Sequence, residues 1–372
     1  MLLKNKMNKY QAGLSLVEIM VGLVIGLLAT LVIMQVFSTF EGQKRTTTGN
    51  ADAQTNGSIA LFSIQRDVQM AGFGLPVFDT QNPPLKCEKI PTATTPPTVD
   101  HDSNLATAAI GMSPITITDG GGAAGASDSI AIRYSTDGAT SKGGIVVKII
   151  GPAPAAPEVG VDNNLGCNNG DVVLVSAGNV CAMTKVDDAN LAADTTHITL
   201  KNSSGATIGA SLSCIGQWNQ FTYTVVNNQL QRNDASVVAA VPFVSEIVNM
   251  QAQYGVSTLA TNNQITSWVD ATTGGTWGAA TMTIADRNRI KAVRIAVVAR
   301  NGLLEKANVA GSTACSSLTA AAPTGICAWV GTATSPAPTI DLSNDGNWQK
   351  YRYRVYETII PLRNMIWSKN TL

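Results

Sequence analysis

Charged residues, aromatic residues and histidines are all scarce in this sequence. Charged side chains make up 13% of its 372 residues and aromatic ones 5%, and the formal net charge is zero. In a typical soluble domain about a quarter of the residues are charged. Nucleic-acid-binding proteins usually carry a basic excess or a basic stripe, so the composition argues against nucleic acid as a partner.

The signatures of common enzymes and metal sites are also missing. The two histidines, His101 and His197, lie far apart in polar segments, and neither belongs to a cluster with metal-ligand spacing. No GxSxG, HExxH or P-loop motif occurs. The acidic segment from Asp162 to Asp171 lacks the spacing of an EF-hand loop and indicates a turn. We therefore predict a protein without catalytic residues, metal or cofactor.

A long apolar run is present at the N-terminus. Residues 1–13 carry three lysines and no acidic residue, and Leu14–Phe37 contains a single ionisable residue, Glu18. The run is long enough to cross a hydrocarbon core of about 30 Å as a helix. Basic residues before a span keep the N-terminus in the cytoplasm, so we expect everything after Phe40 to face outward.

Two simple interpretations of this run are a secretory signal peptide and a plain membrane anchor. A signal peptide has a shorter apolar region and a small-x-small cleavage site, and no such site follows the run before Glu41. A plain anchor leaves Glu18 unexplained, since a carboxylate at the start of a membrane helix is costly and usually functional.

A third interpretation accounts for the whole segment. The sequence from Gly13 to Glu18, GLSLVE, resembles the processing site of type IV prepilins. The resemblance implies that a membrane peptidase cuts after Gly13, that the new N-terminal residue Leu14 is N-methylated, and that Glu18 is the glutamate typical of the family. Leu14 departs from the more common phenylalanine. Glu18 would then pair with the amine of a neighbouring subunit and set its register.

Beyond the apolar run, a helical pattern continues. No proline occurs from Ser38 to Met70, and Leu61, Ile64, Val68 and Ala71 recur at helical spacing. Glycines and a proline follow at 72–76, so the pattern predicts a helix over 15–72. We divide the chain into a leader (1–13), a transmembrane or filament-core helix (14–40), the outer half of that helix (41–75) and a periplasmic β-sheet domain (76–372).

The remainder of the chain predicts an antiparallel sheet packed on this helix, an α+β fold. Asn227-Asn228 predicts a tight hairpin turn. Residues 79–127 and 301–347 look like long loop insertions. Period-two or fully apolar patterns predict strands at Ile115–Ile117, Ser129–Tyr134, Ile145–Ile150, Asp171–Val175, Phe221–Val226, Leu230–Arg232, Lys291–Arg300 and Tyr351–Pro361.

All six cysteines lie beyond the apolar run. An even number in an exported domain indicates disulfides, with chance-scattered free thiols as the alternative. No CxxC pair occurs, which argues against zinc ribbons and thioredoxin-like motifs. The short spacings favour Cys315–Cys327 and Cys167–Cys181, and elimination then leaves Cys87–Cys214.

Three C-terminal segments resemble the PilW family of minor pilins: Pro242–Val256, Ile290–Arg300 and Tyr351–Trp367, the last with its PLRN ending. The resemblance implies a non-enzymatic subunit that primes pilus assembly at the inner membrane and stays at or near the pilus tip. Its partners would be other minor pilins, the major pilin, prepilin peptidase and the inner-membrane assembly platform.

Alternatives remain open at this point. The chain could be a tip adhesin or could contact one, it could be a DNA-uptake module, or it could be a type II secretion pseudopilin. Aromatic and basic residues alternate from Tyr351 to Tyr356, as in some nucleic-acid-binding sheets. In a terminal strand they more often form a packing ladder across strands.

Overall fold

A computed structural model describes most of the chain. The described residues are 13, 15–75, 113–136, 146–152, 158–164, 166–177, 180–188, 195–201, 206–234, 241–278, 281–311, 326–332, 335, 337–338 and 340–367. The chain divides into two compact units, Met1–Ala51 and Asp52–Leu372.

The predicted N-terminal helix is confirmed. The helix α1 spans Leu16–Met70, within two residues of the predicted end. It ends where Gly72 adopts a positive φ of 77°, a conformation that favours glycine and stops the helical hydrogen-bond pattern. Asn364, from the PLRN ending, donates hydrogen bonds to the carbonyl oxygens of Ala71 at 3.1 Å and Gln69 at 3.3 Å. The far C-terminal segment therefore satisfies carbonyl groups that the end of α1 leaves without helical partners.

The predicted α+β fold is also confirmed, and every strand predicted from the sequence overlaps an observed one. The sequence did not predict β4, β6, β7, β10, β11 or β12. The strands are β1 (Ile115–Thr118), β2 (Ser129–Thr136), β3 (Val146–Pro152), β4 (Glu158–Val161), β5 (Val172–Ala177), β6 (Val180–Asp188), β7 (His197–Leu200), β8 (Ser211–Val226), β9 (Gln229–Asp234), β10 (Val241–Ser245), β11 (Ile247–Val256), β12 (Ser267–Val269), β13 (Ile290–Arg300) and β14 (Tyr353–Pro361), with short helices α2 (Ile284–Arg287) and α3 (Arg363–Trp367) and a 3-10 turn at Trp348–Lys350.

Two antiparallel sheets form the framework of the second unit. In the first, the strands lie in the order β1-β2-β8-β9-β10, and in the second in the order β12-β11-β13-β14. The predicted hairpin between β8 and β9 is present, with φ of 51° at Asn227 and 59° at Asn228. Two positive φ angles are what a two-residue turn needs to follow the twist of its strands.

Residues 146–216 form a small closed barrel that the sequence did not predict. Six strands pair in a ring, β8-β3-β4-β7-β6-β5 and back to β8. Its interior holds a separate apolar cluster of valine, isoleucine and leucine side chains from all six strands. The long strand β8 is shared, because its first half closes the barrel and its second half lies in the first sheet. Gly216, at a positive φ of 75°, marks the change.

The predicted disulfide pairings Cys167–Cys181 and Cys87–Cys214 are wrong. Cys167 is bonded to Cys214 inside the barrel, with their Cα atoms 5.2 Å apart. The register of the β5–β6 hairpin places Cys181 opposite Ser176, near the turn, whereas Cys167 precedes the opposite end of β5. Because Cys167 and Cys214 are bonded to each other, neither is available for its predicted partner. Cys327 is also disulfide-bonded, while Cys87 and Cys315 lie outside the described residues.

The main core joins the outer part of α1 to both sheets. It contains Ala53, Ala60, Ile64, Val68 and Ala71 from the helix, each at most 1% exposed. Leu174 and Met183, on the outer face of the barrel, belong to the same core. The predicted apolar stripe is therefore the face that both sheets and the barrel cover.

A glycine in α1 is explained by this packing. Gly57 is buried, and a Cβ atom there would overlap two ring carbons of Tyr356 in β14. Gly57→Ala is expected to destabilise the protein by about 1–3 kcal/mol through overpacking, although alanine usually favours a helix by about 1 kcal/mol. The measurement is the denaturant midpoint of unfolding of the full chain in detergent, monitored by tryptophan fluorescence.

The matched control is Gly42→Ala, since no atom would lie within 4 Å of a Cβ at Gly42. That change should leave the midpoint unchanged or raise it. A higher midpoint for Gly57→Ala would show that Tyr356 does not limit the space at this position.

Removing the barrel disulfide should destabilise the second unit. Its two cysteines are 47 residues apart, and closing a loop of that length stabilises a fold by about 4 kcal/mol in the chain-entropy model. We expect the double variant Cys167→Ala/Cys214→Ala to unfold at clearly lower denaturant concentration. Peptide mapping of the wild type without reduction should recover these two cysteines as one linked pair, and a Cys167–Cys181 peptide would contradict the structure.

Candidate functional site

The N-terminal end of α1 is organised around Glu18. Ser15 precedes the helix, and its backbone N–H donates to Glu18 Oε2 at 3.5 Å, while the Glu18 N–H donates to the Ser15 carbonyl at 3.0 Å. Glu18 occupies the third helical position, as in a capping box, so its carboxylate lies at the positive end of the helix dipole. Gly13 is exposed. Leu14 lies outside the described residues.

The first part of α1 is apolar on all sides. Every large apolar side chain from Leu16 to Phe40 is at least 46% exposed. Among the described helices, α1 is long and apolar enough to cross a membrane. A helix that is apolar all round needs an apolar environment on every side, which a bilayer or a bundle of similar helices provides.

The outer part of α1 carries a buried carboxylate. Asp67 is 6% exposed and accepts hydrogen bonds from Tyr223 Oη at 2.8 Å and Arg232 Nε at 3.0 Å. Burial, together with the charge of Asp67, raises the pKa of the Tyr223 hydroxyl above its usual value, so the hydroxyl remains a donor. The guanidinium of Arg232 also covers the Phe221 ring, with its central carbon 3.5 Å from the ring centroid. These bonds attach the helix to β8 and β9.

A groove lies beside this ion pair. It has a volume of about 170 Å³ and is bordered by Phe62 and Arg66 of the helix and by Phe243 of β10. Phe62 is 67% exposed and Phe243 45%. Because Asp67 balances Arg232, the groove combines two phenylalanine side chains with one remaining cation, Arg66.

A second buried carboxylate, Asp128, joins the two sheets. Its oxygens accept backbone N–H groups of Gly120 at 2.9 Å and Ala252 at 2.8 Å. Its own N–H donates to the Met250 carbonyl at 2.8 Å. The segment before β2 is thus fastened along β11, in the other sheet. Burial raises the pKa of Asp128 to about 7, although the two backbone hydrogen bonds lower it.

The other positions singled out from the sequence serve local structure. His197 lies in β7 with Nδ1 3.1 Å from Thr196 Oγ1, and His101 lies outside the described residues. Asp162 Oδ1 accepts the backbone N–H of Lys148 at 3.0 Å, across the β3–β4 pair. Among the residues that the structure describes, no group of three or more His, Cys, Asp or Glu side chains could hold a metal.

The aromatic and basic residues near β14 are used in packing and ion pairs. Tyr353 packs on a small cluster around Val298, and Tyr356 packs on the main core. Arg352 Nε lies 2.9 Å from Glu305 Oε1. Tyr353 and Tyr356 therefore take part in packing between strands, which the sequence analysis gave as the alternative to a nucleic-acid-binding surface.

Sequence reasoning missed Asp67 and Asp128. Asp67 had a detectable signal, since it falls between Ile64, Val68 and Ala71 on the apolar stripe. A carboxylate at such a position needs a buried partner. Asp128 gave no such signal, because its partners are backbone groups of segments distant in sequence.

One family model matches the chain. It is PilW, described as Type IV Pilus-assembly protein W, and it covers residues 214–364, less than half of the chain. Over these residues the chain is similar to type IV pilus-assembly proteins. The match contains two of the three segments singled out for this resemblance and most of the third. No curated protein and no solved structure matches the chain.

Asp128 predicts a pH dependence of stability. Its carboxyl has a pKa of about 7 in the folded chain and about 3.9 when unfolded, so the folded state binds more protons between these values. The free energy of unfolding should therefore fall as pH rises from about 4 to 7, by at most about 1.4 kcal/mol per pH unit from this group. Asp128→Asn should flatten this slope in denaturant titrations of the full chain.

Asp119→Asn is the control. The charge of Asp119 is one cause of the raised pKa of Asp128, so this change should move the slope to lower pH without removing it. An Asp128→Asn variant with the wild-type slope would show that Asp128 does not take up the proton.

Proposed function

We propose that the chain is a minor pilin that helps prime type IV pilus assembly and stays at or near the pilus tip. The observation that carries the proposal is the build of α1. Its first part is apolar and exposed, with Glu18 as the carboxylate. Its last part contributes Ile64 and Val68 to the main core of the sheet domain. The range matched by the pilus-assembly family, residues 214–364, contains the whole second sheet and, from the first, most of β8 with β9 and β10.

The proposed maturation starts at Gly13. A membrane peptidase cuts after this residue on the cytoplasmic side, and the new N-terminal residue Leu14 is N-methylated. The cut leaves a positively charged amine a few residues from Glu18, on an otherwise apolar helix. The chain is then held in the inner membrane with its sheet domain in the periplasm.

The role of Glu18 follows from the cost of burying charge. In a bundle of apolar helices the amine of one subunit and Glu18 of its neighbour can neutralise each other. Only one axial offset between the two helices brings them together, and leaving either charge buried alone costs about 3–5 kcal/mol. The contact with Ser15 supports this role, because it keeps the carboxylate at the end of the helix where the neighbour's amine would arrive.

The sheet domain makes the remaining contacts in this proposal. Its partners are other minor pilins and the major pilin, with prepilin peptidase and the inner-membrane assembly platform acting earlier. Similarity to type IV pilus-assembly proteins over residues 214–364 supports this set of partners.

The test is Glu18→Ala in the source cell. We expect surface pili to be lost or greatly reduced, because the neighbour's amine is then buried without a partner, at a cost of about 3–5 kcal/mol per contact. The variant chain should still insert in the membrane, and its sheet domain should unfold at the wild-type midpoint. Pili are counted by electron microscopy and by shearing assays.

Glu41→Ala is the matched control, since Glu41 lies on the same helix just after the apolar run and is exposed. Piliation should be normal in that strain. Normal piliation in the Glu18→Ala strain as well would sink the proposed role of Glu18.

A further inference from the structure

The second sheet ends on a strand with an open outer edge. β14 runs for nine residues in uninterrupted antiparallel register with β13. In the part of the chain that the structure describes, no strand pairs with the other edge of β14.

Two hydrogen bonds define which backbone groups face that edge. The Leu362 N–H donates to the Lys291 carbonyl, and the Asn301 N–H donates to the Arg352 carbonyl, each at 2.9 Å. Hydrogen-bonded positions alternate in an antiparallel pair, so the even-numbered residues of β14 bond to β13. The N–H and C=O groups of Val355, Glu357 and Ile359 therefore point outward, and no described backbone group bonds to them.

The edge of β14 is neither short nor interrupted by a bulge or an internal proline. Natural edge strands are blunted by proline, by bulges or by short length. β10, at the edge of the first sheet, has both Pro242 and a register shift between Pro242 and Val244. β14 has no register shift, and its proline, Pro361, is its last residue. It thus offers a regular edge to another strand.

A cavity lies beside this edge. It has a volume of about 300 Å³ and is lined by Trp329, Ile359, Thr358, Glu357 and Arg294. Ile359 is 59% exposed. The Arg294 guanidinium is fixed in the wall, with its central carbon 4.3 Å from the Trp329 ring centroid and 4.9 Å from that of Trp268. Of the two charged residues in this lining, Glu357 is exposed and Arg294 is buried, and the charge of Glu357 partly offsets the effect of burial on the pKa of Arg294. The exposed charge among the lining residues is therefore acidic.

We propose that the open edge of β14 binds an extended segment of a partner polypeptide by strand addition. The outward backbone groups of Val355, Glu357 and Ile359 supply the hydrogen bonds. An apolar side chain of the partner enters the cavity beside Trp329 and Ile359, and a basic side chain lies opposite Glu357. The contact does not depend on assembly of the chain into a filament.

The charge of the edge argues for a partner other than a second copy. Residues with outward backbone groups all have side chains on one face of the sheet. On β14 these are Tyr353, Val355, Glu357 and Ile359, and none is basic. Two β14 edges paired together would therefore place no cation opposite Glu357 in any register, whereas a partner strand with lysine or arginine at that position adds one to the charge of Arg294.

The test uses a fluorescent, end-capped peptide that alternates threonine and valine, with one lysine among the valines, and the full chain in detergent micelles. Fluorescence anisotropy should show saturable binding. Methylating alternate backbone nitrogens of the peptide should abolish it, since those N–H groups pair with the edge. Exchanging the lysine for glutamate should weaken binding severalfold.

Glu357→Pro is the informative protein variant. It removes one outward N–H and adds a ring at the edge, so affinity should fall roughly tenfold or more. Its unfolding midpoint should stay close to that of the wild type, because that N–H faces solvent. Glu357→Gln keeps the N–H and should lose only the part of the affinity due to charge.

Three results would overturn the proposal. The first is absence of saturable binding, and the second is equal binding of the methylated peptide or by the Glu357→Pro chain. The third is a concentration-dependent dimer of the chain that Glu357→Pro abolishes, because it would assign the edge to a second copy.

Discussion

Burial of the apolar stripe on the outer part of α1 is the constraint on which the second unit depends. Ile64 and Val68 have no exposed surface, and they belong to one apolar cluster with side chains from both sheets and from the outer face of the barrel. Burying each such side chain contributes about 1.5–3 kcal/mol. Asp67 on the same stripe fixes the position of the helix on the strands. Its hydrogen bonds with Tyr223 and Arg232 require one particular arrangement of the helix relative to β8 and β9. Asn364, near the C-terminus, donates a hydrogen bond to the Ala71 carbonyl at the end of this helix.

The long strand β8 connects the first sheet to the barrel. Its second half belongs to the first sheet, while its first half closes the barrel. The family match starts at Cys214, within this strand, and nearly the whole barrel precedes it. The barrel has its own apolar interior and its own disulfide, while Leu174 and Met183 on its outer face belong to the main core around α1.

The few charged side chains that are buried have polar or aromatic partners. Arg133 is 7% exposed and donates to Gln220 Oε1, the Ser113 carbonyl and Thr116 Oγ1 at 2.8–2.9 Å, and burial lowers its pKa to about 10. Arg294 is held between two tryptophan rings, and Asp128 accepts two backbone N–H groups. Each buried charge therefore has hydrogen bonds or rings that offset its loss of water. In the apolar run, Glu18 has no such buried partner among the residues that the structure describes, which fits the proposed pairing with another subunit.

Local interactions explain what the sequence alone determined. Glycines stop α1 near residue 72, the helical stripe around Ile64 is visible without the fold, and the Asn227-Asn228 turn needs only two residues that tolerate positive φ. Period-two patterns likewise located β2, β13 and β14. Contacts distant in sequence were decided by tertiary structure. Cys167 pairs with Cys214 because β5 and β8 are neighbours in the barrel, and the short spacing to Cys181 misled the prediction since β6 runs back along β5 with that cysteine at the turn. The hydrogen bonds of Asp128 and the outer position of β14 could not be predicted for the same reason. Both depend on strand order and register, and local sequence patterns locate strands without showing which strands become neighbours.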